Sequence, residues 1–203
     1  MVVIMVMSGL PVTNEYLLNP SKKFMRTIGF ISSVLILLCF SFADAQEKQV
    51  VVKKIRQEFN IINKDKTMKK KVLNNEDFLD HMPDGGGRLT GFYIKGEVKK
   101  IICWTGLSFG TENVEYYFKD NKLIFVYEQF NSFLVDQKTQ NLKYGATERT
   151  FEGRYYFDRN VLIDKVIRGK KMGEDGSIDR GKSLQKKAKE LRHVLIDSRN
   201  GGK

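Results

Sequence analysis

The chain has 203 residues, of which 41% are hydrophobic, so one ordinary core with short appendages is expected. Its formal charge of +11 lies in two flanks: Gln46–Lys71 has nine basic and three acidic residues, and Lys165–Lys203 has twelve and five. The middle, Val72–Asp164, has eleven basic and fourteen acidic residues. A nucleic-acid groove across the middle of the fold would need basic charge there, so nucleic acid is not an expected partner.

The N-terminal part has the order of features found in a secretory signal. A short basic start at Met25, the apolar run Ile28–Phe42 and a small-x-small pattern ending at Ala45 follow one another. We expect residues 25–45 to be a signal peptide cleaved after Ala45, and the mature protein to be periplasmic or secreted. A membrane anchor is the alternative, although the apolar run is shorter than the about 20 residues of a span. Residues 1–24 show no helical or strand period, so we expect translation to start at Met25.

Each basic flank contains the apolar stripe of an amphipathic helix. The N-terminal helix is predicted within Gln46–Lys71, and the C-terminal helix is capped by Asp179 or Ser183. The first helix either packs on a sheet, which we favour, or lies on an anionic membrane surface. The stripes consist of Val52, Ile55, Phe59 and Ile62 in the first helix and of Leu184, Ala188, Leu191 and Leu195 in the second.

The segment N-V-E-Y-Y-F-K-D-N-K-L-I-F-V-Y-E at Asn113–Glu128 predicts a β-hairpin. Asp120-Asn121 suits a two-residue turn because both residues tolerate positive φ. That turn pairs Phe118 with Leu123 and Tyr116 with Phe125. With strict alternation, it puts Tyr117 on the face opposite the core. The predicted core face contains Val114, Tyr116, Phe118, Leu123, Phe125 and Tyr127.

Two further hairpins resemble this one. In Gly153–Asp164 the turn is Arg159-Asn160, which pairs Phe157 with Leu162 and puts Asp164 opposite Tyr155. The second strand of this hairpin is expected to fray or to lie at an edge. In Arg88–Trp104 we favour a three-residue turn with Gly96 left-handed, which puts Ile94 opposite Val98 and leaves Phe92, Ile94, Val98, Ile102 and Trp104 on one face.

With a short strand at Lys69–Leu73, these elements predict an α+β fold: an antiparallel β-meander of repeated hairpins with N- and C-terminal amphipathic helices. The helix and the sheet are expected to form a domain over residues 46–168. Residues 169–203 are expected to form a basic linker, rich in glycine, and the C-terminal helix.

The chain resembles a loosely defined group of small secreted bacterial proteins with tandem aromatic hairpins. The resemblance lies in the string E-Y-Y-F-K-D-N-K-L-I-F-V-Y-E and in the G-x-Y-I-K-G-E-V-K-K-I segment before it, whose varying second position is Phe92. F-E-G-R-Y-Y-F-D-R-N at Phe151–Asn160 is also similar to a single membrane-occupation-type repeat. The resemblance covers roughly residues 88–164. It implies the fold and the compartment and carries no activity with it.

The sequence favours a non-enzymatic periplasmic or secreted binding module. Tyr93, Tyr117 and Tyr156 hold matching positions in the three hairpins, with Lys119 and Arg154 nearby, and an open aromatic face could stack on a sugar, a peptide or a protein of the cell envelope. Alternatively, the two helices cover both faces and these tyrosines form a second core layer.

Two other functions would each use a different part of the sequence. Basic flanks could hold the protein to anionic lipid or polysaccharide through attraction that salt screens. An envelope hydrolase would need a base such as His81 with Asp77 or Asp80, and no recognised catalytic spacing supports it. The acidic loop at Asn74–Gly87 matches no metal signature, and no cofactor is expected. Cys103 lies in an apolar run, as a buried small hydrophobic residue would.

Overall fold

The computed structural model describes residues 46–171 and 179–200, so the predicted signal peptide and the segment before it lie outside the described residues. The first helix, α1, covers 46–64. The other elements are β1 (Lys69–Asn74), a short 3-10 helix (Asn75–Asp77), β2 (Gly87–Ile94), β3 (Glu97–Leu107), β4 (Gly110–Lys119), β5 (Lys122–Val135), β6 (Leu142–Asp158), β7 (Val161–Gly169) and α2 (Arg180–Asn200).

The seven strands form one antiparallel sheet in which every strand pairs with its neighbours in sequence. This arrangement, with a helix at each end of the chain's strand run, confirms the predicted α+β meander. The strands β1 and β7 lie at the two edges, as predicted for the second strand of the last hairpin. Asp179 caps α2, because its Oδ1 accepts a hydrogen bond from the Lys182 backbone N–H at 3.2 Å.

The three repeated hairpins share a turn and a bulge. Their two-residue turns, Lys95-Gly96, Asp120-Asn121 and Arg159-Asn160, all have positive φ at both residues. Such turns match the twist of the two strands they join. In each hairpin the third residue after the turn has no partner in the facing strand: Lys99, Ile124 or Ile163. A β-bulge adds one residue to one strand and shifts all later pairs by one.

The bulge at Ile124 corrects the predicted faces of the second hairpin. The turn and the pair Phe118–Leu123 are confirmed, but Tyr116 faces Val126 rather than Phe125. Val114, Tyr116, Phe118 and Leu123 keep their predicted core positions. Phe125 and Tyr127 lie on the opposite face.

The predicted pairing also differs from the structure in the other two hairpins. The turn between β2 and β3 has two residues and places Ile94 opposite Glu97, so the predicted three-residue turn is wrong. The core residues there are Leu89, Tyr93, Val98, Ile101 and Cys103. Val98 therefore lies in the core, whereas Ile102 and Trp104, which were predicted to share its face, lie on the other side. In the last hairpin Phe157 faces Leu162 as predicted, but Asp164 faces Tyr156 rather than Tyr155.

Each helix covers one face of the sheet, and the two apolar stripes predicted from the sequence are the surfaces that pack. On the α2 face, the predicted stripe of α2 packs against the core side of β1–β7 and is fully buried. On the α1 face, Val52, Ile55 and Ile62 are buried against Tyr117, Phe125 and Tyr156, with Phe59 partly buried beside them. No helix in the described part of the chain is both long enough and apolar enough to cross a membrane.

Candidate functional site

The three tyrosines expected on one open face are buried, and they lie on different faces. Tyr117 is 0% exposed and Tyr156 is 3% exposed, both beneath α1. Tyr93 belongs to the α2 face, where its hydroxyl donates a hydrogen bond to the Leu195 carbonyl at 3.3 Å. The open row of stacking tyrosines is therefore not present, and the alternative arrangement with both faces covered is the one observed.

Tyr117 has structural partners. Its hydroxyl donates a hydrogen bond to Glu115, and the Asn63 side-chain oxygen of α1 lies 3.2 Å from the same hydroxyl. The Lys100 ammonium lies 2.7 Å from Glu115 and 4.9 Å from the centre of the Tyr117 ring. Burial, followed by the negative charge of Glu115, raises the pKa of Tyr117 well above its ordinary value, so this hydroxyl stays protonated.

A cleft of about 580 Å³ lies beside α1 over the outer strands β5, β6 and β7. The helix crosses the sheet from β7, where Lys48 pairs with Asp164 at 2.8 Å, toward β4, where Asn63 meets Tyr117. One flank of the helix and the three strands border the cleft. We call it the arginine cleft; its lining is Ile55, Arg56, Phe59, Asn60, Phe125, Tyr127, Arg154, Tyr156, Val166 and Arg168.

The floor of the arginine cleft is aromatic. Phe125 lies between Phe59 and Tyr156, with ring centres 5.3 Å and 5.0 Å away. Two arginines lie over tyrosine rings: the Arg56 guanidinium is 5.4 Å from the Tyr156 centre, and that of Arg154 is 5.3 Å from the Tyr127 centre. Such stacking holds a guanidinium in place without neutralising its charge.

The cleft carries more positive charge than its carboxylates neutralise. Arg154 is paired, because its Nη1 lies 2.5 Å from Glu152 Oε1. In the described part of the chain, Arg56 and Arg168 form no ion pair with a carboxylate; the polar contact of Arg56 is the Tyr156 hydroxyl at 3.4 Å from Nε. Two exposed guanidiniums therefore border an apolar floor.

Glu152 is the acidic group at this rim. Burial alone would raise the pKa of its carboxyl, but the Tyr127 hydroxyl donates to it at 2.9 Å and Arg154, Arg168 and Arg149 surround it. These contacts bring the pKa of Glu152 below its ordinary value. At neutral pH the carboxylate is ionised and restrains Arg154.

Of the five predicted site residues, the structure brings Arg154 and Tyr156 together in the arginine cleft. Lys119 lies on the other flank of α1, paired with Glu58 at 2.7 Å, while Tyr117 and Tyr93 are buried elsewhere. The sequence-based reasoning missed Arg56, Arg168 and the aromatic floor. Arg56 directly follows the stripe residue Ile55, and Arg168 lies two positions after Val166 on β7. This closeness in sequence to apolar residues was the signal from which the two arginines could have been predicted.

A second group of charges is enclosed on the α2 face. Glu128 is 0% exposed; its carboxylate lies 2.7 Å from Lys171 Nζ and 3.2 Å from Arg180 Nε, and it accepts a hydrogen bond from Tyr155 at 3.2 Å. Glu112 also pairs with Lys171. We call Glu112, Glu128, Tyr155, Lys171 and Arg180 the Glu128 network.

The two carboxyls of the Glu128 network have opposite pKa shifts. Burial raises the pKa of Glu112, and Lys171 offsets this only in part. For Glu128, burial acts in the same direction, but Lys171 and Arg180 together lower the pKa below its ordinary value. The network joins β4, β5 and β6 to Lys171, just after β7, and to Arg180, the first residue of α2, so it links the sheet to the start of the helix.

Cys103 and the polar residues of the connection between β1 and β2 lie in different settings. Cys103 is buried on the α2 face, where burial raises the pKa of its thiol to about 11. A thiol with that pKa is protonated at neutral pH and is a poor nucleophile. His81, Asp77 and Asp80 are exposed in the connection between β1 and β2.

No protein-family model matches this chain, and neither a curated protein nor a solved structure matches it.

Proposed function

We propose that the protein is a non-enzymatic binding module, periplasmic or secreted, whose ligand site is the arginine cleft. The ligand carries an anionic group beside an apolar or aromatic portion. The observation that carries this proposal is the pair of exposed guanidiniums, Arg56 and Arg168, beside the floor of Phe59, Phe125 and Tyr156. Concave, mostly apolar sites with a few placed polar groups are where small molecules and peptide side chains bind.

The chemistry of arginine supports an anionic ligand. A guanidinium presents a planar fork of donors that matches a carboxylate, phosphate or sulfonate. Arg56 and Arg168 approach from the helix and from the edge strand, so a bound anion would bridge two elements. The aromatic floor would bury the apolar portion of the ligand, which contributes about 25 cal/mol for each Å² removed from water.

Attachment of the whole protein to a flat anionic membrane by both basic flanks is less favoured. The exposed lysines of α1, such as Lys53 and Lys54, lie on one side of the sheet, and those of α2, such as Lys186 and Lys189, lie on the other. A flat surface can contact one helix at a time. An anionic ligand held in a cleft needs no such surface.

The test is a fluorescence titration with 8-anilinonaphthalene-1-sulfonate, a probe that combines a sulfonate with aromatic rings. We expect Arg56→Ala combined with Arg168→Ala to weaken binding at least about tenfold, because two charge-assisted contacts of about 1 kcal/mol each are lost. Arg88→Ala is the matched control, since Arg88 also stacks on an aromatic ring, Trp104, at 5.9 Å but lies outside the cleft. Equal binding by the double variant and the wild type would refute the proposal.

A further inference from the structure

The outer side of β7 is open for pairing. This strand is the last in the sheet, and within residues 46–171 and 179–200 no strand pairs with its far side. Its residues from Lys165 to Gly169 are all exposed. An open strand edge presents unpaired N–H and C=O groups in a row, which is a template for another strand.

The register shows which backbone groups of β7 point outward. The Lys170 N–H donates to the Thr150 carbonyl at 3.0 Å, so this position bonds to β6. In an antiparallel pair, bonding positions alternate with positions whose backbone groups point away. Arg168 and Val166 therefore bond to β6, opposite Glu152 and Arg154, and the N–H and C=O groups of Ile167 and Lys165 point outward.

The same strand forms one wall of the arginine cleft. Val166 and Arg168 line the cleft on the α1 face, while Ile167, 42% exposed, projects to the α2 side. A strand added about 4.8 Å outside β7 would place every second side chain on the α1 face, at the mouth of the cleft. Backbone pairing and the anion site are therefore within reach of one extended segment.

The charge of β7 determines which kind of extended segment can pair with it. Lys165 and Arg168 are basic, and the one acidic residue of the strand, Asp164, is already paired with Lys48. A second copy of β7 brings the same two basic residues, and its one carboxylate, Asp164, is already paired with Lys48. A strand with acidic side chains meets complementary charge at Arg168 and Arg56.

The opposite edge of the sheet differs. The strand β1 begins with Lys69, Lys70 and Lys71, and Lys71 also donates to the Ser198 carbonyl of α2. A run of lysines is a usual protection of an edge strand against pairing. By contrast, β7 exposes three large apolar residues, Val161, Val166 and Ile167.

We propose that an extended acidic segment of a partner protein adds to β7 as an eighth strand and places a carboxylate side chain in the arginine cleft. This inference rests on the proposed function of the cleft and names its ligand class: a polypeptide with acidic residues at every second position. Main-chain hydrogen bonds to Lys165 and Ile167 hold the segment, and the alternating carboxylates select it.

The test measures fluorescence anisotropy of a labelled seven-residue peptide of alternating Glu and Val. Ile167→Pro removes an outward N–H without removing a bond to β6, and proline is tolerated on edge strands. We expect it to weaken binding about tenfold, the effect of losing one hydrogen bond and its strand geometry. Ile167→Ala is the matched control, because it removes the side chain and keeps the N–H, and it should bind within about threefold of wild type.

Two further measurements keep the test decisive if Ile167→Pro fails to fold. A peptide of the same composition with central N-methyl groups should lose binding to the wild type, and a peptide with its four Glu in one block should bind more weakly than the alternating one. Equal binding of the methylated and unmethylated peptides would overturn the added strand.

The outcome separates the two proposals. One outcome is that binding of the sulfonate probe requires Arg56 and Arg168 while peptide binding is unchanged by Ile167→Pro and by N-methylation. That result would support the arginine cleft as the ligand site and overturn the added strand. If binding of the probe is also unchanged when both arginines are replaced, the proposed function is refuted as well. A wild type that sediments as a dimer and an Ile167→Pro variant that sediments as a monomer would assign the edge to a second copy and overturn the partner.

Discussion

On the α2 face of the sheet, charged groups are enclosed between strands and helix, whereas on the α1 face arginines border an open cleft. Glu128 is completely buried and is surrounded by Lys171, Arg180 and Tyr155. Arg56 and Arg168 are exposed and form no ion pair with a carboxylate in the described residues. The two regions use the same residue types in opposite settings.

Charge on the α2 face stabilises the fold, whereas charge at the arginine cleft is available to a ligand. A buried carboxylate has lost its hydration, so removing its cationic surroundings or the carboxylate itself leaves an uncompensated charge. An exposed guanidinium keeps its hydration and adds little to stability. Substitutions on the α2 face should therefore act on folding, and substitutions at the cleft should act on binding.

The largest effect is expected for Glu128→Gln. Lys171 and Arg180 would lose the carboxylate that they share, and the free energy of unfolding at pH 7 should fall by about 3 kcal/mol. Urea denaturation measures this loss. The matched control is Glu190→Gln on α2, whose exposed contact with Lys186 is 3.9 Å long, and it should leave the transition unchanged. A loss no larger than that of the control would mean that the Glu128 network is not structural.

The pH dependence of that difference identifies its cause. The pKa of Glu128 is depressed in the folded protein relative to the ordinary 4.5, so the stability it contributes is present above pH 4.5 and is lost as the pH falls through the folded-state pKa. The stability difference between wild type and Glu128→Gln should therefore shrink below pH 4.5. A difference that stays constant in acid would indicate a packing effect rather than a lost charge.

A smaller effect is expected for Tyr117→Phe on the α1 face. The hydroxyl bonds Glu115 and Asn63, but Glu115 keeps its ion pair with Lys100 when the hydroxyl is removed. The unfolding free energy should fall by about 1.5 kcal/mol, the contribution of a hydrogen bond to a charged group. Tyr144→Phe is the control, because Tyr144 is 70% exposed. Binding of the sulfonate probe should be unchanged, and a loss of binding would return Tyr117 to the ligand site.

The sequence predicted the elements of this fold because their signals are local. The helical spacing of Leu184, Ala188, Leu191 and Leu195 predicts the buried stripe of α2, and Asp120-Asn121 and Arg159-Asn160 predict their turns. The bulges gave no such signal, because a bulge accepts ordinary strand residues such as Lys99, Ile124 and Ile163. Beyond each bulge the period-two alternation changes face, so Phe125 was assigned to the wrong side.

The candidate site was predicted only in part for a related reason. Arg154 and Tyr156 come from one strand and could be read from its pattern, but the cleft also needs Arg56 from α1 and Arg168 from β7. Their proximity depends on how the helix crosses the sheet, which packing of its apolar stripe determines and sequence spacing does not. The same packing buried Tyr117, the residue on which an open tyrosine row depended.

The smallest effect tests the charge of the cleft itself. Glu152→Gln removes the carboxylate that pairs with Arg154 and Arg149 while leaving an oxygen for the Tyr127 hydroxyl. Within the lining of the cleft, three guanidiniums rather than two then become available to an anion. The affinity for 8-anilinonaphthalene-1-sulfonate should rise about fivefold, corresponding to about 1 kcal/mol at partly exposed sites. Glu148→Gln makes the same change of net charge on β6 outside the lining of the cleft and should alter affinity less. Because exposed charges are screened within about 10 Å at 0.1 M salt, the gain should diminish as salt is added. An equal gain for both variants would mean that net charge, and not the arginine cleft, attracts the anion.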